Sequence, residues 1–523
     1  MDFTAEGALA ASAPTWSRTF LQPLAPGALT PFSQSILAEI VGRAWLRYYD
    51  RLDFSPPRAR VLRSYQGRPY MNLTLGAELE AQRAGLEPPA YVIDGQARPV
   101  CAWEKPGLFA AMKLGRGARK IAETAAAMEN ELGELDGKAQ SWLQRVAGLR
   151  WSQAEILQIM EEIENAGAPG MAVFLAARQR LESTSAHFLS QARAAGHPQP
   201  DALLAQVLAA APGLVEAEIA RQVAALGAAA QQEPAAHAFL AAGDYAQWAS
   251  ALPGAFAEQV RAFLTAYGHR GAGEGELSNP RWADDPSPLF QAILAAGRRG
   301  GAPPRPADVN ALLAGVDGKQ RKALTELAET LHAAMRLQSQ ALHICARILA
   351  GARRWALAAG HEAAADQRLA AETDVFYYEL EEVKQMMTGE WNISDQTGIR
   401  ATAAARKEQM AAAQQQQPAE LLVGDVAVRR TGAGLPGAPG VAAGRIGAEV
   451  RVARQLDAGW SLWLPAAAAL ITAQGSPLDP ISAAAGALGR PLVIDADAAP
   501  TLAEGAVVTV EGDRGQVRAG QAG

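Results

Sequence analysis

The stretch LITAQGSPLDPISAAAGALGRPLVI, Leu470 to Ile494, reads as a strand, a Gly turn, a short helix of small residues, a Gly stop and a second strand. A turn of this kind presents its side chains at a helix start, where the dipole favours an anion. Here Gly475 opens the turn, and the residues offered are Asp479 and Ser482, with no His, Cys or Lys among them. Asp479 followed by Pro480 fits an N-cap with proline at the first helical position.

Working outward, GAVVTVEGDRGQVRAG reads as a hairpin, two β-branched runs around Gly-Asp-Arg-Gly, and ELLVGDVAVRR and GRIGAEVRVARQL are strand-like. Residues 421–523 therefore form a small α/β unit. Before it, AAAQQQQPAE, residues 411–420, is polar low complexity ending in Pro. It reads as a linker or as the frayed end of a helix. Residues 1–410 are mainly α. GRPYMNLTL and AYVIDG look like short strands, and the texture turns helical from about residue 105. WSQAEILQIMEEIE carries a capping box, Ser152 with Glu155, and an apolar stripe of Ile156, Ile159, Met160 and Ile163. AGAPG, GHPQP and RGGAPPRP read as breaks between helices.

At 523 residues the chain exceeds one ordinary core. Its net charge of −6 gives no overall basic field for nucleic acid. Only Cys101 and Cys345 occur, which fits a reducing compartment and makes no metal site. The N-terminus has no basic region of a signal peptide, and apolar runs stop short of the roughly 18 residues a membrane span needs. The expectation is a cytoplasmic protein without nucleic-acid or membrane partners.

The strongest charged cluster is YGHRGAGEGELSNPRW, Tyr267 to Trp282, which gathers His269, Arg270, Glu274, Glu276 and Arg281 among glycines. Glycine lets the backbone approach a ligand closely, Arg offers a planar fork for phosphate or carboxylate, and a tuned Glu can accept a proton. The alternative is a surface turn with ordinary ion pairs. Farther on, Arg336, His343, Arg347 and Arg354 share a stripe of one helix, either a solvated face or the lining of an anionic pocket. His332 and His361 have no metal-ligand partners nearby in sequence, so zinc is not expected. The chain contains no G-x-x-x-x-G-K-[ST] loop and no G-x-G-x-x-G between strand and helix.

Several segments, in order along the chain, resemble the phosphoenolpyruvate (PEP) synthase and pyruvate phosphate dikinase family, most closely its rifampicin phosphotransferase-like branch. WSRTFLQPLAPGALTPFSQS and GRPYMNLT resemble the start of that branch's acceptor domain. YGHRGAGEGELSNPRWADDP resembles its Tyr-Gly-x-Arg…Gly-Glu…Arg-Trp segment, and DVFYYELEEVKQ the stretch before its hinge. GLPGAPGVAAGRIGAEVRV and ALGRPLVIDADAAPTLAEGAVVTVEGDRGQV resemble the two ends of its mobile phosphohistidine domain.

The resemblance implies a mainly α acceptor domain, 1–410, a Gln-rich linker, 411–420, and a small swivelling α/β (β/β/α) domain, 421–523. It implies that Arg270 meets phosphate and Glu274 orients or deprotonates an acceptor hydroxyl, with His269, Glu276, Arg281 and Arg347 binding substrate. Two departures are expected to matter. The sequence begins almost at the acceptor domain, so an ATP-grasp partner encoded separately would bring ATP and Mg2+, and no cofactor is expected on this chain. The loop Gly475, Asp479, Pro480, Ser482 stands where the family carries its phosphorylated histidine; counting back from LGRP puts that histidine at Pro480, the last His of the chain is His361, and Asp479 is left as an N-cap or, in the histidine's place, as an aspartyl-phosphate acceptor. The neighbouring GWSLWLPAAAALITAQG also lacks the Thr-Pro segment that flanks the histidine. The sequence therefore points to an acceptor-binding subunit that works with a partner, or to a pseudoenzyme that binds a small apolar or aromatic molecule or a protein.

Overall fold

The structure is a computed structural model that describes residues 13–56, 59–84, 90–93, 96–101, 108–149, 152–300, 308–390, 396–428, 434–495 and 497–520. Helices dominate up to Gln415, and short strands dominate after Leu421. Among the described residues no helix is long and apolar enough to cross a membrane.

The body is organised on two long helices packed along each other, Gln153–Ala194 and Gly318–Ala365. The first begins where the sequence places it. Ser152 Oγ accepts from Glu155 N at 3.3 Å, and Glu155 Oε2 accepts from Ser152 N at 2.8 Å. Ile156, Ile159, Met160 and Ile163 are all buried. The same helix runs unbroken through AGAPG, with Pro169 inside it. This corrects the expectation of a break there, and packing explains the residue choice. A Cβ on Gly167 would stand 2.7 Å from Ile40, and one on Gly170 2.8 Å from Ile344. The glycines thus let helices Pro31–Arg51 and Gly318–Ala365 approach closely, and that contact outweighs the hydrogen bond Pro169 cannot make. Phe32 stacks on Trp355 at 5.8 Å, and Trp355 Nε1 donates to Ile156 O at 2.6 Å, closing the core between all three helices.

A five-stranded antiparallel sheet flanks this body in the order Leu62–Tyr65, Arg68–Asn72, Thr15–Ser17, Leu421–Val423, Val426–Val428. The segments GRPYMNLT and ELLVGDVAV thus share one sheet, although more than three hundred residues separate them. The Gln-rich stretch is tied down on the way. Helix Gln396–Gln415 covers its first half. Arg68 donates to the carbonyls of Ala413 and Gln416 at 3.0 and 3.2 Å, and Tyr70 Oη to that of Ala419 at 2.5 Å.

The C-terminal module carries a four-stranded sheet in the order Val450–Gln455, Ala469–Gln474, Leu492–Ile494, Leu435–Ala438, of which the first three strands are parallel. Helix Pro480–Ala487 makes the crossover between the second and third. It stops at Gly489, whose φ of +65° lets Arg490 N donate to Ala485 O at 2.8 Å. The expected hairpin forms from Val507–Glu511 and Gln516–Ala519, joined by Val441–Arg445 in a second, antiparallel sheet. One apolar cluster crosses from module to body: Leu478, Ile481 and Leu488 pack with Leu181, Leu203, Leu208 and Met335.

Candidate functional site

The loop from Gly268 to Pro286 lies between helices Gly254–Tyr267 and Ser287–Arg299, and its backbone folds back on itself. Trp282 N donates to Arg270 O at 2.9 Å and Ala283 N to Gly268 O at 2.8 Å. Two glycines are required by geometry. Gly273 has φ +59°, and a Cβ on Gly275 would meet Leu24 O at 2.8 Å, the carbonyl that accepts from its own N–H. The loop is thereby pinned to the segment that precedes helix Pro31–Arg51.

Arg270 is fully buried and sits between two carboxylates. Its Nε bonds Glu274 Oε1, and Nη2 lies 3.3 Å from Glu216 Oε1. Glu216, on helix Val215–Gln232, is held in turn by Ser339 Oγ at 2.5 Å. Burial alone would lower the Arg270 pKa; Glu274 and Glu216 reverse this and raise it, so the cation is secured. Arg270 Nη1 lies 3.3 Å from His343 Nδ1, and Arg347 Nη2 lies 3.0 Å from His343 Nε2. Burial, then Arg270 and Arg347, push the His343 pKa down, so the ring is neutral. A neutral imidazole accepts at one nitrogen only, so it can satisfy one of these two arginines. His269 packs against His343 at 4.6 Å and is also held neutral, first by burial and then by His343 and Arg347.

Beside this network lies a cavity of about 200 Å3, lined by His269, Arg281, Arg347 and Arg354 together with Asp284 and the helix Leu108–Gly148. His269 Nε2, Arg281 Nε and Nη1, and Glu274 Oε2 are buried with no hydrogen-bond partner among the described residues. Burial pushes the Arg281 pKa down to about 10. Its Nη2 donates to the backbone carbonyl of Glu274 at 2.7 Å, which ties the cavity wall to the loop that carries Glu274. Buried polar atoms of this kind are costly unless something else bonds them. The arrangement can therefore receive a small polar or anionic group.

The other residues singled out from the sequence take separate places. Glu276 is a structural clamp: it accepts from Thr30 N and Oγ1 at 2.6 and 2.9 Å and from Ser33 Oγ at 3.0 Å, holding the N-cap of Pro31–Arg51. The basic stripe divides. Arg347 is buried and pairs with Asp136 at 3.0 Å, Arg354 lines the cavity, and Arg336 is partly exposed beside Glu129. Among the described residues no group of three or more His, Cys, Asp or Glu side chains could hold a metal ion.

In the module, Asp479 occupies the N-cap position before Pro480, yet its side chain does not cap the helix. Its Oδ2 accepts from Ser476 N at 3.0 Å, and its Oδ1 from Arg178 Nη1 at 2.9 Å. Arg178, on helix Gln153–Ala194, also holds Glu182 at 2.9 Å. Both Arg178 and Asp479 are sealed from solvent, at 0% and 1% exposure. Gln338 Nε2 donates to Leu478 O at 3.1 Å, one residue before the Ser339 that holds Glu216. Ser482 Oγ donates to Ser476 O at 2.9 Å, and Gly475 opens the turn with no Cβ contact closer than 3.7 Å. The loop thus rests against the helical body next to the Arg270 network.

Three participants escaped the sequence reading: Glu216, Arg178 and Asp457. Asp457 precedes the turn Ala458–Leu462 and accepts from Gly273 N at 2.7 Å and Gly459 N at 2.8 Å, so the module grips the loop directly. Burial raises its pKa to about 6. Arg178 and Glu182, four residues apart, look like an ordinary surface pair, and nothing in sequence brings Glu216 near Arg270.

Comparison with known families assigns both halves of this interface. Residues 165–358 match the family model described as the rifampicin phosphotransferase fourth domain, and residues 447–515 match the PEP-utilising enzyme mobile domain. The first match contains Arg178, Glu216, Arg270, Glu274, Arg281 and Arg347; the second contains Asp457 and Asp479. No curated protein matches the chain.

Proposed function

Because this chain belongs to the PEP-utilising, rifampicin phosphotransferase-like family, we propose that it is the acceptor-binding subunit of a phosphotransfer system, working with a separately encoded ATP-grasp protein and carrying no phosphohistidine of its own. The observation that carries this reading is the contrast between two neighbouring sites. The cavity beside Arg270 offers Arg281, Arg347 and His269 to a bound molecule, and the buried Glu274 Oε2, on the same loop as Arg281 and His269, has no hydrogen-bond partner among the described residues. The turn of the module offers Asp479 already bonded on both oxygens and Ser482 bonded to a carbonyl. In this reading Arg281 and Arg347 anchor an anionic or polar group of the acceptor, and Glu274 receives the proton of its hydroxyl. Arg270 sets the position of Glu274 rather than touching substrate. ATP and Mg2+ stay on the partner, and no step on this chain passes through them.

Incubation of the purified chain with labelled ATP or PEP is expected to leave it unlabelled. With the ATP-grasp protein and acceptor added, label is expected on the acceptor, and Arg347→Gln is expected to raise KM at least about tenfold. Stable label on the chain alone ends the proposal.

One observation favours a second reading, a ligand-binding pseudoenzyme. Arg270 is already neutralised by Glu216 and Glu274, so an incoming phosphate would have to displace a carboxylate. Acceptor binding that persists with no transfer under any partner selects this second reading.

A further inference from the structure

A second cationic cleft lies outside the site just described, where helix Ser287–Arg299 meets the C-terminal module. It has a volume of about 850 Å3. Arg298 and Arg299 line it from the body, and Arg451 and Arg490 from the module. Among the described residues the one carboxylate in its lining is Glu449, whose Oε2 already accepts from Arg445 N at 2.9 Å.

Arginines at the end of a helix are ordinary complements of its dipole, and that accounts for Arg298 and Arg299. It does not account for the other two. Arg451 is held by a neutral carbonyl, Gly447 O at 2.8 Å, and lies over the Trp463 ring at 5.6 Å. Among the described residues the Arg490 guanidinium reaches only Pro465 O at 3.5 Å. The Nε of each is buried and has no hydrogen-bond partner among the described residues. Burial, aided by repulsion from Arg299, pushes the Arg490 pKa down to about 10. None of the four arginines forms an ion pair among the described residues, in a chain whose net charge is −6. Partly desolvated like charges facing one another without a counter-charge are unfavourable, and an anion between them removes the penalty. The planar guanidinium fork matches phosphate oxygens in pairs.

We propose that this cleft binds a small phosphoanion with at least two anionic groups, pyrophosphate or the diphosphate end of a phosphate ester, clamped between Arg298 and Arg299 of the body and Arg451 and Arg490 of the module. Four forks exceed what one orthophosphate uses, and the volume accommodates the larger group. Because the two walls belong to different parts of the chain, the bound anion also holds the module against the body. This inference is independent of the acceptor reading above.

The test is calorimetry and thermal melting of the full chain at low salt with pyrophosphate, orthophosphate and malonate. Pyrophosphate is expected to bind and raise Tm, with orthophosphate and malonate at least about tenfold weaker. Arg299→Gln with Arg490→Gln is expected to lose at least about tenfold in pyrophosphate affinity. If that pair does not fold, the exposed pair Arg298→Gln with Arg299→Gln carries the same expectation. Arg347→Gln, in the other cavity, is expected to keep pyrophosphate binding. The proposal is overturned by no binding at about 10 mM, by malonate binding as tightly as pyrophosphate, by undiminished binding in the arginine variants, or by its loss in Arg347→Gln.

Discussion

Asp479 and Arg178 have no water to fall back on, so removing one exposes the full desolvation cost of the other. Glu182 remains to Arg178 when Asp479 is lost, which places Asp479→Ala at the lower end of the range for breaking a buried pair, about 3 kcal/mol. We expect a reduced Tm and faster amide exchange over residues 470–494 in this variant; an unchanged melt would mean that the pair contributes nothing. Asp479 also shows how far a sequence carries. Its place before Pro480 is legible, because proline at the first helical turn leaves little choice. The direction of its carboxylate is not, because Arg178 lies some three hundred residues away in the chain and reads as the partner of Glu182. His269, Arg270 and Arg281 are legible as a group because they share one loop with its glycines. Glu216 is not, because it reaches Arg270 only through the packing of another helix.

Between elements, the decisive contacts are backbone approaches that permit no side chain. The helices Val215–Gln232 and Ser287–Arg299 cross where Gly227 and Gly297 meet, each Cβ position lying within 3 Å of the other's backbone. The turn Ala458–Leu462 meets the site loop in the same way: a Cβ on Gly459 would lie 2.7 Å from the Ala272 Cα. Backbone cannot swing aside as a flexible side chain can, so Gly459→Ala is expected to cost about 1–3 kcal/mol. Hydrogen exchange reads this out locally, as loss of protection at Gly273, whose N–H is held by Asp457. Retained protection there would show that the turn does not clamp the loop. The misread break at AGAPG has the same origin. Gly and Pro punctuate a sequence by their local preferences, and close packing on Ile40 and Ile344 overrides those preferences here.

Across the whole molecule, body and module share buried leucines, a buried ion pair and the Asp457 grip, so the structure shows the module docked. The five-stranded sheet adds a constraint of another kind. Thr15–Ser17 pairs with Arg68–Asn72 on one side and with Leu421–Val423 on the other, so the first described strand gains its second neighbour only after some four hundred residues have been made. A fragment ending at residue 410 leaves the Thr15–Ser17 edge unpaired, and open edges recruit other chains. Light scattering is expected to find larger species for that fragment than for one ending at Val428; equal sizes would show that the edge is protected by something else. During synthesis the same edge waits on the ribosome for a late partner, which makes this sheet a long-range closure and a point where the nascent chain is open to misassembly.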